Sequence, residues 1–225
     1  MLIALEGLDG AGKSTQVRQL REWLEEQGKT VEYLHFPRFD TPVYGDLVAR
    51  FLRGELGAVN DVNPYLVALI YAGDRKEAAS TINRWLTDGK VVIIDRYVTS
   101  NIAYQCAKLG PDKEKKALRE WILRLEYESN AIPQPDITLF LDVPFAFTEK
   151  NLSLNREGND REYLLGKADI HEASLDLQRA VRQVYLDEAR LDPAVKTVPC
   201  SDENGGMLPP ERTFEKIKTH IKLIL

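Results

Sequence analysis

The sequence predicts an α/β fold in which helices cover both faces of a parallel sheet. Short apolar segments alternate along the chain with segments of helical periodicity, and residues 91–94 are apolar throughout, as in a strand buried on both faces. With 225 residues, 44% of them hydrophobic, we expect one domain over residues 1–225. The candidate strands are Leu2–Leu5, Val31–Phe36, Val91–Ile94, Ile137–Leu141 and Val195–Val198.

The first strand leads into a glycine-rich loop, residues 7–14, which matches the pattern G-x-x-x-x-G-K-[ST]. A helical pattern follows at Val17, Leu20 and Leu24, with Gly28 at the expected C-cap. Backbone N–H groups of such a loop surround a phosphate, and the helix N-terminus adds a partial positive charge. The loop therefore predicts binding of a nucleoside triphosphate. The candidate residues are Gly7, Leu8, Asp9, Gly10, Ala11, Gly12, Lys13, Ser14 and Thr15.

Two longer helices are predicted further along. One extends from about Pro64 to Leu86 and places Tyr71 and Arg75, four residues apart, on one face. The other is C-terminal and has apolar residues at three- and four-residue spacing, so one face should pack on the core. These apolar residues are Phe214, Ile217, Ile221 and Ile224.

Residues 151–167 form a polar segment that contains Gly158 and Gly166. We interpret this segment as a mobile lid between two helices rather than a domain boundary. Its basic residues include Arg156 and Arg161, although a charge run of this kind is most often a solvated face.

Composition excludes several classes of protein. The net charge of −5 argues against a dedicated nucleic-acid surface, and no apolar run approaches the ~20 residues of a membrane span. The N-terminus lacks the pattern of a signal peptide, so we expect a cytoplasmic protein. Cys106 and Cys200 are the only cysteines and should be reduced thiols. The scattered histidines at 35, 171 and 220 are expected at the surface or in packing positions.

Charged and aromatic residues follow the predicted strands, whose carboxyl ends gather ligands in such folds. Each has a structural alternative: Tyr71 could belong to the helix core, and Arg75 could pair with Asp74 or Glu77. Asp95 could bind Mg²⁺ or orient a neighbouring arginine. The segments are Phe36-Pro37-Arg38-Phe39, Tyr71–Arg75, Asp95-Arg96-Tyr97, Ser100–Gln105 and the lid.

In these segments the sequence resembles the thymidylate kinases. The matching stretches are Glu6–Thr15, Phe36–Arg38, Tyr71–Arg75, Asp95–Gln105, Pro135–Thr138 and Leu141–Pro144. The resemblance implies a nucleoside-monophosphate-kinase fold with a five-stranded parallel sheet, and a homodimer. It also implies the reaction ATP + dTMP giving ADP + dTDP, with Mg²⁺, as a step of dTTP synthesis.

The resemblance further assigns roles to individual residues. Lys13 and Ser14 would hold ATP and Mg²⁺, with Asp95 as a second metal candidate, and Asp9 would lie near the 3′-hydroxyl of the acceptor and the metal. The implied catalytic residues are Asp9, Lys13, Arg96, Arg156 and Arg161. The implied dTMP-binding residues are Asp9, Arg38, Phe39, Tyr71, Arg75, Arg96, Asn101, Tyr104 and Gln105.

Within this set, Arg38 and Arg96 would grip the acceptor phosphate. Arg75 would bind thymine O4, whereas Asn101 would meet the Watson–Crick edge of the base. Tyr104 would lie beneath the deoxyribose.

Three departures from the family pattern bear on these roles. Gly10 stands where some members carry an arginine, so Arg156 or Arg161 of the lid would supply that charge. Tyr71 replaces the commoner phenylalanine that stacks on thymine. Pro199-Cys200, near the expected adenine site, shows no clear means of base recognition.

Two other functions stay open from the residues alone. One is another small-molecule P-loop kinase, such as a deoxynucleoside kinase. It would need a general base and usually shows Glu-Arg-Ser where this chain has Asp95-Arg96-Tyr97. The other is a P-loop switch or assembly ATPase, which would need a water-positioning side chain.

Overall fold

The computed structural model describes residues 1–153 and 159–225, and all their side chains except those of residues 153 and 159–161. The strands are β1 (Leu2–Gly7), β2 (Val31–His35), β3 (Val91–Asp95), β4 (Ile137–Asp142) and β5 (Val195–Pro199). The α-helices are α1 (Lys13–Glu26), α2 (Tyr44–Leu52), α3 (Pro64–Thr87), α4 (Val98–Cys106), α5 (Asp112–Leu123), α6 (Phe145–Ser153), α7 (Leu175–Leu191) and α8 (Pro210–Ile221). A π-helical turn (Arg124–Ser129) and a 3₁₀ helix (Asn159–Leu164) complete the described elements.

The five strands form one parallel sheet in the order β2-β3-β1-β4-β5, which confirms the predicted fold class. Strand β1 lies in the middle, with Leu5 opposite Asp95 of β3 and Gly7 opposite Leu141 of β4. The carboxyl ends of β1 and β3 therefore bring the glycine-rich loop and the Asp95-Arg96 segment to the same edge of the sheet.

The core has two layers because side chains of a strand alternate between the faces of the sheet. Leu2 and Ala4 of β1 pack on one face with residues of α4 and α7, whereas Ile3 and Leu5 pack on the other with α1 and α8. Helices thus cover both faces of the sheet, as the continuous apolar strand pattern predicts.

The element boundaries differ from the sequence predictions at the ends. Four strands extend one or two residues further than predicted, since polar residues such as Asp95 and Asp142 still pair in the sheet. Strand β2 instead ends at His35, one residue before Phe36. The prediction for Ile224 is wrong: α8 ends at Ile221, and Ile224 lies beyond it with 41% of its surface exposed.

The predicted lid, residues 151–167, lies between α6 and α7, and its first residues belong to the last turn of α6. Both cysteines are fully buried, and burial raises the pKa of Cys106 to about 12 and that of Cys200 to about 11. Among the helices that the structure describes, none is long and apolar enough to cross a membrane.

Candidate active site

A cavity of about 1150 Å³ opens at the carboxyl edge of the sheet. It exceeds the ~300–1,000 Å³ typical of small-molecule sites, so it has room for more than one small ligand. The loop after β1, the ends of β2 and β3, helices α3 and α4, and residues 169–172 contribute to its wall. Predicted site residues in the lining are Asp9, Gly10, Ala11, Gly12, Lys13, Ser14, Arg38, Phe39, Tyr71, Arg75, Asp95, Arg96, Asn101, Tyr104 and Gln105.

The glycine-rich loop turns through two left-handed residues, Gly10 (φ 73°) and Gly12 (φ 79°), where a side chain would be strained. Lys13 then begins α1, and its ammonium donates to the carbonyl of Leu8 at 3.2 Å. Burial and then the charge of Arg96 lower the pKa of Lys13 to about 8. The loop thus presents backbone N–H groups and a buried ammonium to one side of the cavity.

Asp9 joins the two sides of the cavity. Its carboxylate accepts hydrogen bonds from Arg96 Nη2 at 2.5 Å, Tyr104 Oη at 2.7 Å and Gln178 Nε2 at 2.9 Å. Burial alone would raise the pKa of Asp9, but Arg96 and Lys13 hold it well below its usual range. A charged carboxylate of the loop therefore fixes side chains of α4 and α7.

Arg96 occupies a strained backbone conformation, with φ of 66°, directly after β3. Its backbone N–H donates to Leu5 O at 2.9 Å, and its Nη1 donates to Ser100 Oγ at 3.3 Å. Ser100 is held by Glu6 of β1, a fully buried carboxylate that also accepts from the backbone N–H groups of Tyr97 and Ser100 at 2.9 and 3.1 Å. Glu6 thereby satisfies the N-terminus of α4 and supports the arginine beside it.

The two carboxylates that the sequence offered as partners of Arg75, those of Asp74 and Glu77, are bound by Arg38 instead. Arg38, half-buried, donates from Nε to Asp74 Oδ1 at 2.8 Å and from Nη2 to Glu77 at 3.3 Å. Arg75 is only 2% exposed and pairs with Glu126 of the π-helical turn, so the alternative of an Arg75 pair with Asp74 or Glu77 is wrong. Arg75 therefore lies on the buried face of α3 next to the cavity, whereas Arg38 extends to α3 from the segment that follows β2.

Residues 169–178, beyond the predicted lid, supply site residues that the sequence did not indicate. His171 is buried, stacks on Tyr104 with ring centroids 4.9 Å apart, and leaves Nε2 without a partner among the described residues. Burial, and then Lys108, hold the pKa of His171 well below its ordinary value, so the imidazole is neutral. His171 therefore packs against its neighbours as expected, but its position in the cavity wall was not predicted.

Asp169 lies in the same wall. It accepts hydrogen bonds from Tyr163 Oη and from the backbone N–H of His171, both at 2.8 Å. Burial and then the charge of Asp9 raise the pKa of Asp169 to about 6. Neither Asp169 nor His171 belongs to a sequence motif that would have predicted its position in the site.

Aromatic stacking joins Phe39, in the segment after β2, to the lid. The rings of Phe39 and Tyr163 lie 3.7 Å apart and nearly parallel, and Arg53 donates to Tyr163 O at 2.7 Å. At the other end of the lid, Asn151 donates to Gly10 O at 2.8 Å. Residues near both ends of the lid therefore contact the cavity wall.

Ser14 and Asp95 offer the oxygen ligands that Mg²⁺ prefers. Both line the cavity, and the buried Oδ1 of Asp95 has no hydrogen-bond partner among the described residues. No group of three His, Cys, Asp or Glu side chains in the described part of the chain could hold a metal by itself. This fits Mg²⁺, which is usually held by one or two protein ligands together with substrate phosphates.

The remaining predicted residues lie away from the cavity or outside the described residues. Gly7 ends β1, Leu8 is buried in the core, and Thr15 is in α1; none of them lines the cavity. Arg156 lies outside the described residues, and only the backbone of Arg161 is described, in the 3₁₀ helix.

Comparison with known proteins gives one family. The family model "Thymidylate kinase" matches residues 5–205. The thymidylate kinase of Mycobacterium tuberculosis is 36% identical over 190 residues, which cover 84% of this chain and 86% of that protein. A probable thymidylate kinase of Thermococcus kodakarensis is 34% identical over 203 residues, 88% of each chain. The solved structure of the Candida albicans thymidylate kinase superposes with a TM-score of 0.70 at 26% identity, covering 99% of this chain and 91% of that one.

Proposed function

The chain belongs to the thymidylate kinase family and phosphorylates dTMP to dTDP with ATP, and we propose that the single cavity at the sheet edge holds both nucleotides. The contact that carries this proposal is the one between Asp9 of the glycine-rich loop and the α4 residue Tyr104, together with Arg96. It makes the loop and the acceptor side one continuous wall. ATP phosphates then lie against the loop and dTMP lies beyond Asp9.

The acceptor side is assigned as follows. Arg96 and Nη1 of Arg38, which has no partner among the described residues, hold the phosphate of dTMP, and Phe39 and Gln105 close the wall. Tyr71 stacks on thymine, while Arg75 donates to O4 and Asn101 meets N3. Tyr104 lies beneath the deoxyribose.

The reaction needs positioning and charge rather than a general base. The second pKa of a phosphate monoester is about 6, so the attacking oxygen is already ionised near pH 7. Two anions must approach each other, and Lys13, Arg38 and Arg96 supply the opposing charge in the cavity wall. Catalysis then follows from alignment and from stabilisation of the transferring phosphoryl group.

A magnesium ion bound with ATP would neutralise charge on the β- and γ-phosphates. Ser14 and Asp95 are the residues that would hold it, since both line the cavity and Oδ1 of Asp95 has no partner among the described side chains. Some family members carry an arginine at the position of Gly10, and in this proposal Arg156 or Arg161 of the lid supplies that positive charge instead. The hydrogen bond from Asn151 to Gly10 O supports this role, because it joins the start of the lid to the glycine-rich loop.

The proposed assembly is a homodimer of single-domain chains in the cytoplasm. The exposed Leu66 and Leu69 of α3, 58% and 46% accessible, supply apolar surface for a subunit contact. The two buried, unpaired cysteines fit a reducing compartment.

An inhibitor that joins adenosine to thymidine through a polyphosphate bridge tests the proposal. If one cavity holds both nucleotides, the compound should compete with ATP and also with dTMP. Competition with only one substrate would contradict the proposal. ADP release should also require dTMP. A deoxynucleoside kinase would release ADP with thymidine, and an ATPase would release ADP without any acceptor, so these two controls separate the three functions.

A further inference from the structure

Glu126 lies fully buried behind the acceptor wall, on the π-helical turn Arg124–Ser129. It does not line the cavity, yet it contacts two residues that do, Arg75 and Asn101. π-Helical turns are rare and frequently occur at functional sites. A buried carboxylate in this position can control what its neighbours present to a ligand.

The carboxylate fixes the plane of the Arg75 guanidinium. Nε of Arg75 lies 3.0 and 3.1 Å from the two oxygens of Glu126, and Nη2 also donates to Oε1. Nη1 has no partner among the described residues. Because a guanidinium carries only hydrogen-bond donors, Nη1 is a donor that remains available to a ligand in the cavity.

The same carboxylate fixes the amide of Asn101. Nδ2 donates to Glu126 Oε1 and to Ala68 O, both at 3.0 Å. Since both partners are acceptors, only the NH₂ group can face them, and the amide oxygen must point the other way. That oxygen, Oδ1, is buried and without a partner among the described residues. Asn101 therefore has an acceptor left for a ligand.

We propose that Glu126 is a positioning residue that sets the donor and acceptor pattern for the pyrimidine, a donor from Arg75 beside an acceptor from Asn101. Thymine and uracil present the complementary pair, a carbonyl at C4 and an N–H at N3. Cytosine presents the inverse pair, an amino group at C4 and a bare N3. This inference rests on the proposed acceptor site and adds a residue that never touches the substrate.

Glu126→Gln separates positioning from packing because it keeps the size of the side chain. The glutamine oxygen can replace Oε1, but its NH₂ group then faces Nε of Arg75, a donor against a donor. The guanidinium also loses the charge that holds it. We expect Arg75 to tilt away from its present plane, so that the C4 carbonyl loses its donor.

The experiment compares kcat/KM for dTMP, dUMP and dCMP in the wild type and in Glu126→Gln. We expect the dTMP to dCMP preference to fall at least ~10-fold, short of the several powers of ten that a complete polar site can supply. dTMP and dUMP should fall together, and the KM for ATP should not change. Glu128→Gln, an exposed change on the same turn, is the matched control and should leave all values unchanged.

Two further variants keep the test decisive. Glu126→Asp retains both acceptor oxygens and the charge, so it should keep the preference within ~5-fold even if Glu126→Gln does not fold. An unchanged preference in folded Glu126→Gln, or complete loss in Glu126→Asp, overturns the proposal. Asn101→Leu removes the acceptor directly: if it also leaves the preference unchanged, the proposed acceptor site itself fails.

Discussion

The two halves of the cavity are built differently. The donor half is one continuous segment, Asp9–Ser14, whose ligand groups are mostly backbone N–H groups held by glycine geometry. The acceptor half is assembled from side chains of the segments after β2 and β3 and of helices α3 and α4, held by buried partners such as Glu6 and Glu126. A site made of backbone is local in sequence, whereas a site made of side chains depends on residues far away in the chain.

Replacement of Lys13 tests the donor half and should have the largest effect. Lys13→Ala removes the only ammonium in the described cavity wall, so kcat should fall by about 10³-fold, the upper range for loss of one electrostatic donor. The fold should persist, because the ammonium donates only to carbonyls of its own loop. A steady-state assay with a thermal melt measures both, with Arg18→Ala on the exposed face of α1 as control. Wild-type turnover in Lys13→Ala would contradict the assignment of the loop.

The lid arginines test whether a third element serves both halves. Arg156→Ala or Arg161→Ala should lower kcat by ~10²–10³-fold with little change in KM, because the charge acts mainly in the transition state. Initial rates at varied ATP and dTMP measure this, and Arg190→Ala on the surface of α7 is the control. If both single variants and the double variant keep kcat, the lid supplies no catalytic charge.

Tyr104 tests how the acceptor half selects the sugar. Tyr104→Ala should narrow the kcat/KM gap between dTMP and ribothymidine monophosphate by ~10-fold, since the ring no longer opposes the 2′-hydroxyl. Tyr104→Phe keeps the ring and its stack on His171 but loses the bond to Asp9, so it should keep the sugar preference. A destabilised Tyr104→Ala with an unaltered ratio would leave the residue as packing.

Lys108 tests the support behind the acceptor half and should have the smallest effect. It donates to Gln105 Oε1 at 2.8 Å and lies 4.7 Å from the Phe51 ring, and burial lowers its pKa to about 7. The unfolded chain keeps this proton up to its ordinary pKa of 10.5, so wild-type stability should rise with pH between 7 and 10.5. Below pH 7 the folded chain carries the full cost of keeping this charge partly buried.

Lys108→Met removes that cost. The midpoint of thermal unfolding should rise by roughly 2–4 °C at pH 6, and the gain should shrink as the pH approaches 10. Melts of Lys108→Met and of the exposed Lys113→Met at both pH values measure the effect. A gain that is the same at both pH values, or equal in the control, would show that the charge of Lys108 is not the cause.

The sequence predicts more of the donor half than of the acceptor half for the same reason. All five strands and the glycine-rich loop follow from local sequence patterns. A strand buried on both faces appears as a run of apolar residues, and the turns of the loop appear as glycines at fixed spacing. Arg75 and Asn101 lie in segments that the residues alone mark as candidates, but their roles towards the base were predicted only through the family resemblance. Glu126 and Gln178 were missed, because their roles depend on contacts across 51 and 169 residues of chain. Nothing adjacent to them in sequence marks these contacts.

The state of the two cysteines has a practical consequence for optical work on this enzyme. Cys106 and Cys200 are 2% and 0% exposed, and their raised pKa values leave almost no thiolate at neutral pH. A maleimide dye should therefore react with neither cysteine. A single cysteine introduced on the lid and another on α2 could then be labelled in the otherwise unaltered chain, and energy transfer between the dyes would report the distance between these two elements during turnover.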